Sequence, residues 1–211
     1  MAEANLPFIR NLASSGLHAY VTPDPQKAAI LSLSPSSAPG DAGVIHQDCA
    51  RPWMAAFWEI VASEWTTGID VLRMEKFLLL VRRFVCACFS WAREVDYVRE
   101  RVEVVVAVLA EWPLEKEQGL DKVPLGLRLH VLDVWVDEVE RSGVLAEVEE
   151  KDGARKLVDG VGDLVRALTK GFPSKPLRQK AANSLDDERL PWYSAPEVAD
   201  EDDDGWAGFQ D

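Results

Sequence analysis

The apolar positions of this chain recur at steps of three and four residues, and the densest block of them runs from Trp53 to Arg93. Trp53, Ala56, Phe57, Ile60, Val61, Glu64 and Trp65 repeat at helical spacing, which gathers the aromatic side chains on one broad face. Thr66, Thr67 and Gly68 close that segment. The chain restarts near Asp70, whose short carboxylate suits the capping of free backbone amides. Leu72, Phe77, Leu80, Val81, Phe84, Cys88 and Trp91 then mark a second stripe, with Arg73, Lys76, Arg82 and Arg83 mostly off it. Each large side chain buried in such a pair contributes roughly 1.5–3 kcal/mol, so the block is read as a structural core and not as a cofactor pocket.

The same periodicity organises the rest. Residues 1–15 are expected to hold a short helix, Leu6 to Leu12, with Pro7 in its first turn. Residues 16–52 are rich in Pro, Ser, Gly and Ala, with Pro23, Pro25, Pro35, Pro39 and Pro52 as breakers, and are expected to be mostly disordered. Downstream, Tyr97, Val98, Arg101, Val102, Val105, Val108 and Leu109 line one side of a segment that Pro113 ends. Its valines raise a strand alternative, but its length and its charge placement favour a helix. Pro124 suits the first turn of a further helix with the stripe Leu125, Leu129, Leu132, Val136 and Val139, stopped at Ser142-Gly143. Val144 to Gly153 is acidic with little structure expected. Leu157, Val158, Val161, Leu164, Val165 and Leu168 give another helix, and a last one spans Pro176 to Leu185 with Ser174 as its cap. The predicted fold is all-α: an irregular, HEAT-like α-solenoid or a helical bundle over residues 53–190, with an acidic disordered tail over 191–211.

Composition narrows the function classes. A formal charge of −13 over 211 residues argues against a wholly basic nucleic-acid module, though not against a local patch. Cys49, Cys86 and Cys88 are an odd number, which disfavours a secreted disulfide framework. Arg82 and Arg83 interrupt the longest apolar run, so no membrane span is expected, nor does the N-terminus read as a secretory signal. Cys86 and Cys88 lie about 200° apart on a helix and cannot share a metal. His18, His46 and His130 are scattered, and Gly160, Gly162 and Gly171 form no dinucleotide fingerprint. His130, Asp133 and Asp137 do share one face, read as a structural or surface pairing. No catalytic, cofactor or metal residue is therefore assigned.

One local charge anomaly stands out. Arg155, Lys156, Arg166, Lys170, Lys175, Arg178 and Lys180 are set against only Asp159 and Asp163 in that stretch, a candidate surface for RNA phosphates or a partner; a solvated helix face is the alternative. The tail offers Trp206 and Phe209 after a run of carboxylates, either as anchors for a protein partner or as part of a segment that competes with phosphates for those cations.

Phe8-Ile9-Arg10-Asn11-Leu12-Ala13-Ser14-Ser15, Phe57-Trp58, Glu64-Trp65, Gly68-Ile69-Asp70-Val71-Leu72-Arg73, Lys76-Phe77 and Arg82-Arg83 resemble the eukaryotic nucleolar family called ribosomal RNA processing protein one. Pro124-Leu125-Gly126-Leu127-Arg128-Leu129-His130 with Asp133, Asp137 and Glu138, then Lys175-Pro176-Leu177-Arg178 and Asp187-Glu188-Arg189-Leu190, are similar to its later blocks. Gly205-Trp206-Ala207-Gly208-Phe209 resembles fungal members. Residues 16–52 depart from the family pattern, which has charged, tryptophan-rich helices there. The resemblance implies a non-enzymatic, helical nucleolar factor that acts on precursors of the large (60S) ribosomal subunit, with pre-60S proteins and pre-rRNA as partners. It implies no cofactor, membrane or small-molecule substrate. The residues alone also fit a generic helical adaptor that contacts only proteins.

Overall fold

In a computed structural model the helical spacing becomes six α-helices among the described residues, which are 47–194 apart from 67, 70, 118–120 and 171. They are α1 (Gln47–Glu64), α2 (Met74–Arg93), α3 (Arg99–Glu111), α4 (Leu125–Arg141), α5 (Asp152–Leu168) and α6 (Lys175–Leu185). Short 3-10 turns, Val71–Arg73 and Leu145–Glu147, precede α2 and α5. The expected N-terminal helix, the Asp70 cap, most of segment 16–52 and the tail from residue 195 lie outside the described residues.

Contacts run α1 to α3 to α5 on one side and α2 to α4 to α6 on the other. The links α2 to α3 and α5 to α6 join the two rows. This is the two-layer stacking of an irregular α-solenoid, with α4 in the middle of the second layer.

The first helix begins at Gln47 and not at Trp53, so the expected disorder over residues 16–52 is corrected at its C-terminal end. Pro52 sits inside α1 and not at its border. A proline in the second turn forfeits one backbone bond, and the added turns bring Ala50 into the core. The buried stripe of α1 is then Ala50, Met54, Trp58, Val61, Ala62 and Trp65, one position round the helix from the expected one, with Trp53 and Phe57 packed against it. Phe84 of α2 is the meeting point. It stacks on Phe57 with ring centroids 3.6 Å apart, and Trp58 meets it edge-on at 5.5 Å.

On α2 the interior is Val81, Phe84, Val85, Cys88, Phe89, Trp91 and Ala92, while Phe77 only packs against the core from a half-buried position. Leu72, expected on the apolar stripe, is 91% exposed. It belongs to the 3-10 turn ahead of α2, where the helical phase of the stripe does not yet hold. Of the five-residue stripe expected on α4, Leu132, Val136 and Val139 are buried while Leu125 and Leu129 only pack against the core. Leu127, Val131, Val134 and Trp135 are buried besides, because α2 and α6 flank this helix. Its end matches expectation: Gly143 has φ +80° and donates to the Glu140 carbonyl at 2.8 Å.

The acidic connection Val144 to Gly153 is more ordered than its composition suggests. Val144 and Val148 are buried, and Glu147 accepts from Arg93 Nη2 at 2.8 Å and from the Tyr97 hydroxyl at 2.6 Å, with Lys151 Nζ at 3.3 Å. Asp96 and Tyr97 hold left-handed backbone, φ 55° and 57°, which costs free energy for a bulky residue. The Tyr97 amide donates to the Ala92 carbonyl at 2.9 Å and its ring is buried, which offsets that strain. Gly153 permits the approach, since a Cβ there would lie 2.5 Å from that of Tyr97.

Trp58, 1% exposed, should cost about 3–5 kcal/mol on Trp58→Ala, and half-buried Phe77→Ala clearly less, as read by denaturant unfolding; equal losses would contradict the packing. Arg93, then Tyr97, hold the Glu147 carboxyl down from 4.5 to about 2. A depressed folded-state value gives stability that is present above the unfolded value and lost as pH falls from about 4.5 towards 2. Glu147→Gln should therefore be less stable than the parent at neutral pH, with the gap narrowing through that window. A gap that stays constant on acidification would exclude the linkage.

Candidate RNA and partner interface

Helix α5 buries Ala154, Leu157, Val158, Val161, Gly162, Val165 and Leu168 and turns Lys156, Asp163 and Arg166 outward, with exposed Lys170 just past its end. After the α5–α6 turn, the Ser174 hydroxyl accepts from the Leu177 amide at 3.4 Å, and Pro176 fits the first turn of α6, as the sequence predicts. The seven candidate cations thus sit on two adjacent helices, but they do not form a uniform field.

Four of them are committed within the molecule. Arg155 reaches Asp159 at 3.3 Å and Glu149 at 3.4 Å. Arg166 pairs with Asp163 and lies 5.4 Å from the centre of the Trp192 ring. Lys180 pairs with Asp133 of α4, and Arg178 donates to the Phe172 carbonyl and, at 3.3 Å, to that of Pro173. Glu149 and Asp133 are carboxylates that a reading of the stretch alone could not supply, because they arrive from other elements. Lys156, Lys170 and Lys175 are exposed and have no carboxylate partner among the described residues. Trp206 and Phe209 lie outside those residues.

The blocks that carry the family resemblance converge elsewhere, on the outward stripe of α4. Arg82 of α2 donates to Glu138, whose side chain is 0% exposed, and to Asp137 Oδ2 at 2.9 Å. Arg189 reaches the other oxygen of Asp137 at 3.0 Å, Glu140 at 2.6 Å and Asp187 at 2.7 Å. His130 Nε2 lies 2.9 Å from the Leu78 carbonyl, which can only accept, so the ring is the Nε2–H tautomer. Burial pushes its pKa down and keeps it neutral, which leaves it a strut between α2 and α4.

Two arginines on the apolar stripes are buried as well. Arg128 donates to the Val123 carbonyl at 3.1 Å and reaches the Glu115 carboxylate at 3.2 Å, with its guanidinium 5.2 Å from the Phe172 ring centre. Arg101 donates to the Trp91 carbonyl at 2.6 Å, lies 4.6 Å over that residue's ring and has Glu94 at 3.6 Å. Sequence reasoning missed these roles, although an arginine in phase with an apolar stripe was the available signal.

Among the described residues no group of three or more His, Cys, Asp or Glu side chains could hold a metal ion, and no helix is long and apolar enough to cross a membrane. Burial raises the Cys88 thiol well above its ordinary range, and burial followed by Glu138 raises Cys86, so neither is an activated nucleophile.

Comparison with known proteins follows the same lines. The family profile described as nucleolar protein, Nop52, matches residues 32–207. Over 91 residues the chain is 30% identical to ribosomal RNA processing protein 1 homolog B of Homo sapiens, covering 43% of this chain and 12% of that protein. It is 28% identical over 95 residues to the ribosomal RNA processing protein 1 homolog of Caenorhabditis elegans, covering 45% and 23%. It is 26% identical over 107 residues to homolog A of Homo sapiens, covering 51% and 22%. The aligned stretches thus span less than a quarter of these relatives. With the profile covering most of its length, and with the blocks that resemble the family meeting on one helix, the chain belongs to the Nop52 family of nucleolar proteins.

Proposed function

We propose that this protein is a non-enzymatic assembly factor of the nucleolus that takes part in processing ribosomal RNA for the large subunit, and that its helical body serves as a scaffold on pre-60S particles. The observation that carries this reading is the profile match over residues 32–207 together with relatives named for ribosomal RNA processing. The buried polar groups support a scaffold. Arg82, Arg101, Glu138 and His130 are each occupied in joining one helix to another, and Arg128 pins the α3–α4 connection to α4, as a rigid support requires and as a reaction centre does not.

Contact with pre-rRNA falls to the α5–α6 corner. Lys156, Lys170 and Lys175 have their charges unmatched by carboxylates among the described residues, so a phosphate gains them without breaking an ion pair. Arg155, Arg166 and Lys180 would first have to leave Asp159, Asp163 and Asp133. The remaining surface is available to pre-60S proteins. An adaptor that touches only proteins is the second reading, and the net charge of −13 is what favours it.

Depletion of the protein should lead large-subunit RNA precursors to accumulate, and the tagged protein should co-sediment with pre-60S particles; normal precursor profiles after complete depletion would remove the assembly role. Changing Lys156, Lys170 and Lys175 to Glu should leave melting unaltered and weaken binding to single-stranded RNA. The slope of log affinity against log salt should fall by about 0.7 for each phosphate that is no longer neutralised. Unchanged affinity and slope would favour the protein-only adaptor.

A further inference from the structure

Helix α2 has a second face, which points away from the core. Lys76, Leu79 and Arg83 recur at steps of three and four residues, and Leu80 and Ala87 border them, none of them buried. Leu72 and Leu79, 91% and 43% exposed, are two of the four large apolar side chains that stand exposed among the described residues. Leu72 and Arg73 join them from the turn ahead of α2. In a chain of net charge −13 this face sets Arg73, Lys76 and Arg83 against one carboxylate, the exposed Glu75, and so is locally cationic.

The partner that fits such a surface is acidic, with apolar anchors spaced among its carboxylates. The chain contains that chemistry itself. Residues 195–211 carry seven carboxylates, Glu197, Asp200, Glu201, Asp202, Asp203, Asp204 and Asp211, with Trp206 and Phe209 among them. Residues 1–46 carry Glu3, Asp24 and Asp41 against Arg10 and Lys27, and so have no comparable charge to offer. Geometry also puts the start of the tail beside α2. Asp137 accepts from Arg82 of α2 through one oxygen and from Arg189 through the other, at 2.9 and 3.0 Å, so the chain passes Arg82 shortly before it leaves the described region at Ser194. Arg82 lies about 5 Å along the helix from Leu79. The residues between Arg189 and Trp206 can extend about 55 Å, more than this path needs.

We propose that the α2 face built by Leu72, Arg73, Lys76, Leu79 and Arg83 is the docking site of the chain's own segment Asp200–Phe209, whose aspartates meet the cations while Trp206 and Phe209 cover the two leucines. The α5–α6 corner is the weaker host: Arg155, Arg166 and Lys180 already hold carboxylates, and among the described residues neither α5 nor α6 exposes a large apolar side chain to seat the aromatics. Tethering makes the contact intramolecular, so individually modest interactions suffice. A surface partner with the same acidic and aromatic pattern would have to displace the tail.

Carbodiimide coupling of the full chain, read by mass spectrometry, tests this, because it joins a lysine amine to a carboxylate only where the two touch. Lys76 should couple to carboxylates within residues 200–204. In a mixture of heavy-isotope and ordinary protein the product should join residues of one molecule. Trp206→Ala with Phe209→Ala, or Leu79→Asp with Arg73→Glu, should lower the yield about fivefold or more while melting stays unchanged. Leu79 and Arg73 are exposed, and melting curves of each variant check directly that folding is intact. Coupling of the tail to Lys156, Lys170 or Lys175 alone, coupling of Lys76 to Glu3, Asp24 or Asp41, products only between molecules, or no product at Lys76 would each overturn the proposal. So would protection of Lys76 by a single-stranded oligoribonucleotide in protein whose Lys76 coupling ignores the tail substitutions, since the face would then be an RNA site.

Discussion

Helix α4 is enclosed on nearly every side, and the ion pairs along its one outward stripe fix what stands next to it. Its apolar residues are buried, and neighbours grip it through His130, Asp133, Asp137, Glu138 and Glu140. Arg82 does so from α2, Lys180 from α6, and Arg189 from the chain beyond α6. Because the Glu138 side chain is sealed from water, its charge has to be matched, by Arg82 through a direct hydrogen bond and by Arg141 from 3.6 Å; a buried carboxylate left alone costs several kcal/mol. The hydrophobic term makes the layers stack, and this pairing selects one register for the stacking.

Much of the architecture is legible from periodicity. The all-α class, the order of the helices, the Ser174 cap, the Gly143 stop and nearly the whole buried stripe of α5 follow from apolar spacing and end signals. Errors arise where a local rule meets a tertiary demand. Pro52 marks a boundary by composition, yet Ala50 and Met54 continue the core stripe across it, and the gain in burial outweighs one forfeited backbone bond. Leu72 is in phase with α2 only if α2 is extended into a turn that is not α-helical. The stripe on α4 looks narrow in the sequence because leucine and valine positions facing two further neighbours cannot be told from surface ones by a single-helix projection.

The polar layer is harder to read for a different reason. Arg128 with Glu115, Arg93 with Glu147 and Arg82 with Glu138 join different segments of the chain, and helical spacing carries no information on such pairs. The same limit applies to the cationic stretch from Arg155 to Lys180. In sequence it faces two aspartates; in the fold, Glu149 and Asp133 join them and leave three lysines with no carboxylate partner among the described residues. The motif blocks that resemble the family hold the scaffold together at α4. Family membership and helix register thus rest on the same residues, while Lys156, Lys170 and Lys175 stand exposed at the α5–α6 corner, away from them.

The account turns on Arg82 holding the buried Glu138, and a double-mutant cycle between them measures that most directly. Arg82→Met should destabilise by about 3 kcal/mol because it leaves the buried Glu138 carboxylate with only Arg141 at 3.6 Å, and adding Glu138→Met should recover a large part of the loss, giving a strongly non-additive cycle in denaturant unfolding. If Arg82→Met costs less than about 0.5 kcal/mol and the two changes add, the pairing does not hold the layers in register.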